Sequence, residues 1–189
     1  MIRKLSAILI LAALAAWCGA PAGDAPGAKG EKGDDCKRPF VGNANCKLCH
    51  NEAETGEQFK KWQASPHAKA FKTLSSPAAK KINENAAKDP KCLKCHVTGF
   101  ECPKEIKAKA KESDGVGCES CHGAGKDYAK QEIMKSKKDS IEKGMIEPTE
   151  KTCVKCHNKE SPTFPGKFDF KEMWKKILHP NPLLKHEKK

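Results

Sequence analysis

Eight of the eleven cysteines in this 189-residue chain fall into four identical frames. They are Cys46-Lys47-Leu48-Cys49-His50, Cys92-Leu93-Lys94-Cys95-His96, Cys118-Glu119-Ser120-Cys121-His122 and Cys153-Val154-Lys155-Cys156-His157. Nothing else in the sequence constrains the fold so tightly. Two thiols three residues apart share one helical turn, and a histidine follows each pair directly. This is the attachment pattern of c-type haem. The thiols reach the two vinyl groups at one porphyrin edge, and the adjacent imidazole binds the iron.

Zinc sites and disulfide scaffolds also use paired cysteines. Zinc does not require histidine immediately after every pair. With seven histidines in 189 residues, four such coincidences arise by chance about twice in a million. The sequence therefore predicts four covalent haem c groups. Their iron is bound by His50, His96, His122 and His157.

The first cysteines of successive motifs are 46, 26 and 35 residues apart, so the chain is not an array of equal modules. Side chains suited to a core are few: 38% hydrophobic, with one Tyr, seven Phe and three Trp. Fewer than about 40 residues per porphyrin leave the haems themselves as the interior. The expected class is mainly α: short helices and irregular loops wrapped around four closely packed haems, with little or no sheet.

The N-terminus predicts export. Met1-Ile2-Arg3-Lys4 is basic and Leu5 to Ala16 is apolar. That run is too short for a membrane span and fits a secretory signal. Cleavage after Ala22 suits the small residues of Ala20-Pro21-Ala22. Lipidation at Cys18 is the alternative, against which Trp17 is bulky. Residues 19 to 35 contain only Gly, Ala, Pro, Asp, Glu and Lys, a linker composition. The division is a signal over 1–22, a flexible linker over 23–35 and a tetrahaem domain over 36–189. Loss of the signal lowers the formal charge from +12 to +10, because Arg3 and Lys4 go with it. The mature protein is expected in the periplasm, or as a lipoprotein facing the periplasm or cell surface.

Ser65-Pro66 predicts a helix over 67–74, and Ser76-Pro77 one over 78–88 that Asp89-Pro90 stops. Further helices are expected over 128–137 and over 140–143, the second ended by Gly144. Asp169 and Glu172 make a capping box for a last helix with Phe170, Met173, Trp174 and Ile177 on one face, ended by Pro180. A short extended piece around Gly99 is the remaining expectation.

Several stretches outside the four frames resemble the tetrahaem cytochrome c-554 family. They are Trp62-x-x-x-x-His67-Ala68-Lys69-Ala70, Cys95-His96-Val97-x-Gly99-Phe100 and Gly115-Val116-Gly117 through Gly123. Cys156-His157 followed by Ser161-Pro162, and Phe168-Asp169-Phe170-x-x-Met173, extend the similarity over roughly residues 38 to 180. The resemblance implies an exported electron carrier.

Seven histidines less the four in the motifs leave His67, His179 and His186 for four distal faces. Two imidazoles on every iron are therefore out of reach within one chain. The resemblance implies that His67 serves the fourth haem and His179 the third. The family's ligand for the first haem follows the third motif, where residues 123–138 here contain no histidine. Met134 stands in that stretch; it is either a thioether ligand or filler on an amphipathic helix. The family keeps the second haem open, and no ligand is found for it here; Val97 and Phe100 are expected near its free face. His186 lies in a lysine-rich tail.

Cys36 and Cys102 remain, as a disulfide or as two free thiols. The lysines of 104–111 and 135–138 are either a solvated face or a docking surface for an acidic redox partner. Nucleic-acid binding does not fit an exported chain without a stacking-aromatic pattern. The leading reading is electron transfer between redox partners along four haems. Reduction of nitric oxide at an open second haem, and a subunit role in an extracellular cytochrome polymer, are the alternatives.

Overall fold

The computed structural model describes residues 36–183. The signal segment with Cys18, the linker and His186 lie outside the described residues. Among those described there are ten short α-helices and no strand, in agreement with the expected class. The longest, α1 (Asn43–His50) and α10 (Phe170–Ile177), have eight residues each.

Three motifs occupy helices that stop at or beside their histidine: α1, α5 (Pro90–His96) and α6 (Cys118–His122). The fourth begins in α9 (Glu150–Cys153), and its Cys156 and His157 lie in the turns that follow. Asp89-Pro90, expected only to stop a helix, starts one. Its carboxylate accepts from Lys91 N–H at 2.8 Å and Pro90 takes the first helical position.

The helix expected over 67–74 is split. Ser65 closes α2 (Gln58–Ala64), a 3-10 turn spans His67–Lys69, and α3 covers only Ala70–Thr73. The one expected over 78–88 forms as α4 (Pro77–Ile82), capped by Ser76, and breaks where Asn83 turns extended. Asn83 instead accepts from Asn85 N–H and donates to Asp89 at 2.5 Å. Over 128–143 the chain forms α7 (Gln131–Met134) and α8 (Lys137–Glu142). Ser136 caps α8, and Gly144 follows with φ 101°. In α10, Asp169 accepts from Glu172 N–H at 3.1 Å, but Glu172 pairs onward with Lys175, so the reciprocal half of the box is absent. Turns replace the extended piece around Gly99.

Side-chain packing is sparse, as the composition requires. Leu74, Ala86, Leu93 and Val97 form one small buried cluster beneath α5. Phe40, Cys102 and Ala124 form another, closed by a Cys36–Cys102 disulfide with Cα atoms 5.3 Å apart and a sequence separation of 66. The spare thiols are thus paired.

Polar contacts converge on Gly115-Val116-Gly117, just before the third motif. Val116 N–H donates to His67 C=O (3.0 Å), Trp62 Nε1–H to Val116 C=O (2.8 Å) and Thr98 N–H to Gly115 C=O (3.0 Å). Gly115 has φ 65°, and a Cβ there would meet the His67 carbonyl oxygen at 2.7 Å. The Trp62–His67, Thr98 and Gly115–Gly117 stretches, distant in sequence, form one junction.

Candidate haem centres

All eight motif cysteines are free thiols, whereas Cys36 and Cys102 have paired. Thiols of different motifs nevertheless touch. Cys46 hydrogen-bonds Cys118, which raises the Cys46 pKa and lowers that of Cys118. Cys156 hydrogen-bonds Cys95, which raises the first and lowers the second to about 7. The first motif thus meets the third, and the second meets the fourth. Among the described residues, no three His, Cys, Asp or Glu side chains gather as an ion-sized cluster. A structural zinc site needs four such ligands together.

The histidines form two facing pairs. His67 and His157 have ring centroids 6.1 Å apart with planes at 77°. His122 and His179 stand at the same 6.1 Å with planes at 76°. Two imidazoles bonded to one metal at about 2 Å on opposite sides put their centroids roughly 6 Å apart. The centroid spacing of both pairs matches that distance. His157 also stacks on Phe168 at 5.1 Å.

Second contacts orient these rings. His96 Nδ1 lies 2.7 Å from the Ala70 carbonyl oxygen, His122 Nδ1 3.2 Å from that of Ile146, and His179 Nδ1 2.6 Å from that of Ile177. A carbonyl can only accept, so the proton sits on Nδ1 and the Nε2 lone pair is left for a metal. Burial lowers the pKa of His50, His67, His122 and His157. These rings are neutral at pH 7, the form that ligates. The donor set fits covalently attached haem.

Neither His50 nor His96 shares a ring contact with another imidazole among the described residues, although His50 lies close enough to His179 and His122 for their charges to interact. Met134 is half-buried in α7, where its sulfur accepts from Ser140 Oγ at 3.6 Å. Val97, which follows His96, is buried, and Phe100 is half-buried against the cluster that holds Val97.

Three residues that hold the motifs together escape a sequence reading. Glu119, inside the third motif, accepts backbone N–H bonds from Val41 and Gly42, at the start of α1. Asn43, the first residue of α1, accepts from Cys118 N–H at 3.0 Å. The helices of the first and third motifs are therefore tied reciprocally. Thr98, two residues after the second motif, accepts from Gly117 N–H at 2.7 Å and contacts Ser120 Oγ at 2.9 Å.

Comparison with known proteins finds similarity over the first three motifs. The family described as Cytochrome c554 and c-prime matches residues 45–123, which hold the first three motifs. Over that stretch the chain is similar to the cytochrome c554 family. The chain is also similar to cytochrome c-554 of Nitrosomonas europaea, with 32% identity over 146 residues. That match takes in 63% of this chain and 57% of the relative. No solved structure matches. No helix among the described residues is long and apolar enough to cross a membrane.

Proposed function

We propose that the chain is an exported tetrahaem cytochrome c that relays single electrons between redox partners. The observation that carries this reading is the pair of imidazole contacts at 6.1 Å, each joining a motif histidine to a histidine outside the motifs. His122 with His179, and His157 with His67, would ligate the irons of the third and fourth groups from both sides. Bound haem supplies reversible one-electron chemistry at iron.

The chain's part is to hold and space the sites. The cysteine pairs fix each group by one edge. The Cys46–Cys118 and Cys95–Cys156 contacts draw attachment edges together in two pairs, which favours short transfer distances. Carbonyls of Ala70, Ile146 and Ile177 hold the Nδ1 protons of His96, His122 and His179. The lysines of 104–111 and 135–138 suit brief docking to an acidic redox protein, where complementary charge speeds encounter. A pyridine haemochrome assay combined with intact mass tests the whole reading. Four haems per chain are expected; fewer than four overturns it.

A second reading rests on His96, which no other imidazole faces among the described residues. An open iron there would bind a small nitrogen oxide. Nitric oxide added to the reduced protein then gives a rapid nitrosyl signal at one haem in four. If no haem reacts, the protein is an electron carrier only.

A further inference from the structure

Haem attachment accepts any residue between the two cysteines, yet the third motif places a carboxylate there and buries it. Glu119 is only 4% exposed. Its Oε1 accepts from Val41 N–H at 2.8 Å and Gly125 N–H at 2.7 Å, and its Oε2 from Gly42 N–H at 2.8 Å. Three backbone donors suit an ionised carboxylate, which can only accept.

The same carboxylate stands beside two motifs. Cys118 precedes it in α6. Gly42, which donates to it, accepts from the Cys46 thiol at 3.7 Å. The thiols of Cys46 and Cys118 are themselves in contact.

We propose that the Glu119 carboxylate is a fixed negative charge shared by the first and third haem sites, holding both at lower reduction potential than a neutral side chain would. The inference rests on the tetrahaem reading above. Reduction adds one electron from the partner protein to a site and removes one positive charge from it. A neighbouring negative charge favours the oxidised state. Water screens a buried carboxylate poorly, so its field reaches both sites. Glu119 also ties the two motif helices together, and the test separates charge from tie.

The experiment is a spectroelectrochemical titration of the haem-loaded full chain, with Glu119→Gln and Glu119→Asp beside the wild type. Glu119→Gln is expected to raise two of the four midpoints and leave the other two in place. Glu119→Asp keeps the charge on a shorter arm, so it should melt earlier while both midpoints stay low. A Glu119→Gln protein with four haems and unshifted midpoints overturns the proposal, as does a uniform rise of all four. Should Glu119→Gln fail to fold, isotope-edited infrared spectra of the wild type decide. A carboxylate stretch from Glu119 supports the fixed charge, and an acid carbonyl stretch overturns it. Fewer than four haems in the wild type would instead remove the tetrahaem reading, by an assay independent of these midpoints.

Discussion

His67 and His157 stand with ring centroids 6.1 Å apart, although 90 residues of sequence separate them. His67 is delivered by a 3-10 turn, and His157 by the turn after α9. The carbonyl of His67 is pinned by Val116 N–H at 3.0 Å. The side chain thus leaves a backbone that is already held, which would limit the entropy lost on binding a metal.

His67→Ala is expected to leave four haems attached and convert one of them from low-spin to high-spin. His179→Ala should do the same to a different haem. The double variant should then show two high-spin haems, because the two pairs are separate. Electron paramagnetic resonance at low temperature counts them. An unchanged low-spin fraction removes the substituted residue from the ligand set.

Met134 is tested by the optical spectrum of the oxidised protein. Ligation of its thioether at the His50 site gives a weak sulfur-to-iron band near the red edge. Met134→Leu abolishes that band and Met134→His lowers the potential of that haem. A wild type without the band leaves Met134 packed against Ser140, and Met134→Leu then costs under about 1.5 kcal/mol as a conservative swap.

Acid should weaken the fold through His67. Burial lowers its pKa, with the neighbouring His157 adding to the shift, and iron held by the ring would compete with the proton in the same direction. An imidazole with a folded-state pKa below the ordinary value of 6.5 takes up its proton more readily when unfolded. Its contribution to stability is complete above 6.5 and is lost as pH falls through that value toward the folded one. Urea midpoints measured from pH 8 to pH 5 should fall at the acid end. The fall should be shallower in His67→Ala, which lacks one of the groups.

The four motifs were legible because thiol spacing and the following histidine are local requirements of the chemistry. The Pro90–His96 helix start was misread for an equally local reason. Asp followed by Pro can stop one helix or cap the next, and only the Asp89–Lys91 hydrogen bond distinguishes them. Asn83 broke a plausible helix by finding Asp89, a partner six residues on. Glu119 and Thr98 left no signal. One sits where the motif tolerates any residue, the other in a turn, and their partners lie 77 and 19 residues away. Such ties become visible only when the backbone amides they satisfy are located in space.

Thr98→Val tests the junction before the third motif. Valine keeps the shape but leaves the buried Gly117 N–H, now 2.7 Å from Thr98 Oγ1, without an acceptor. An orphaned buried donor costs about 1–3 kcal/mol. Thermal unfolding of the haem-loaded protein should show that loss, and Thr98→Ser should restore most of it. Equal melting temperatures for all three proteins would make the hydroxyl dispensable.

The Cys36–Cys102 bridge closes a loop across 66 residues of sequence separation. Haem thioethers do not duplicate this constraint, because each motif links cysteines only three positions apart. The disulfide therefore still restricts the unfolded chain after haem attachment, and chain-entropy reasoning gives it about 4 kcal/mol. Removing both thiols together, as Cys36→Ala with Cys102→Ala, should lower unfolding stability by roughly that amount while four haems remain attached. Phe40, Ile106 and Ala124, which pack around the bridge, should keep most of their contacts, because the loss acts on the unfolded chain. Urea unfolding followed by haem absorbance measures it. A double variant as stable as the wild type would show that haem attachment already restrains the segment from Cys36 to Cys102.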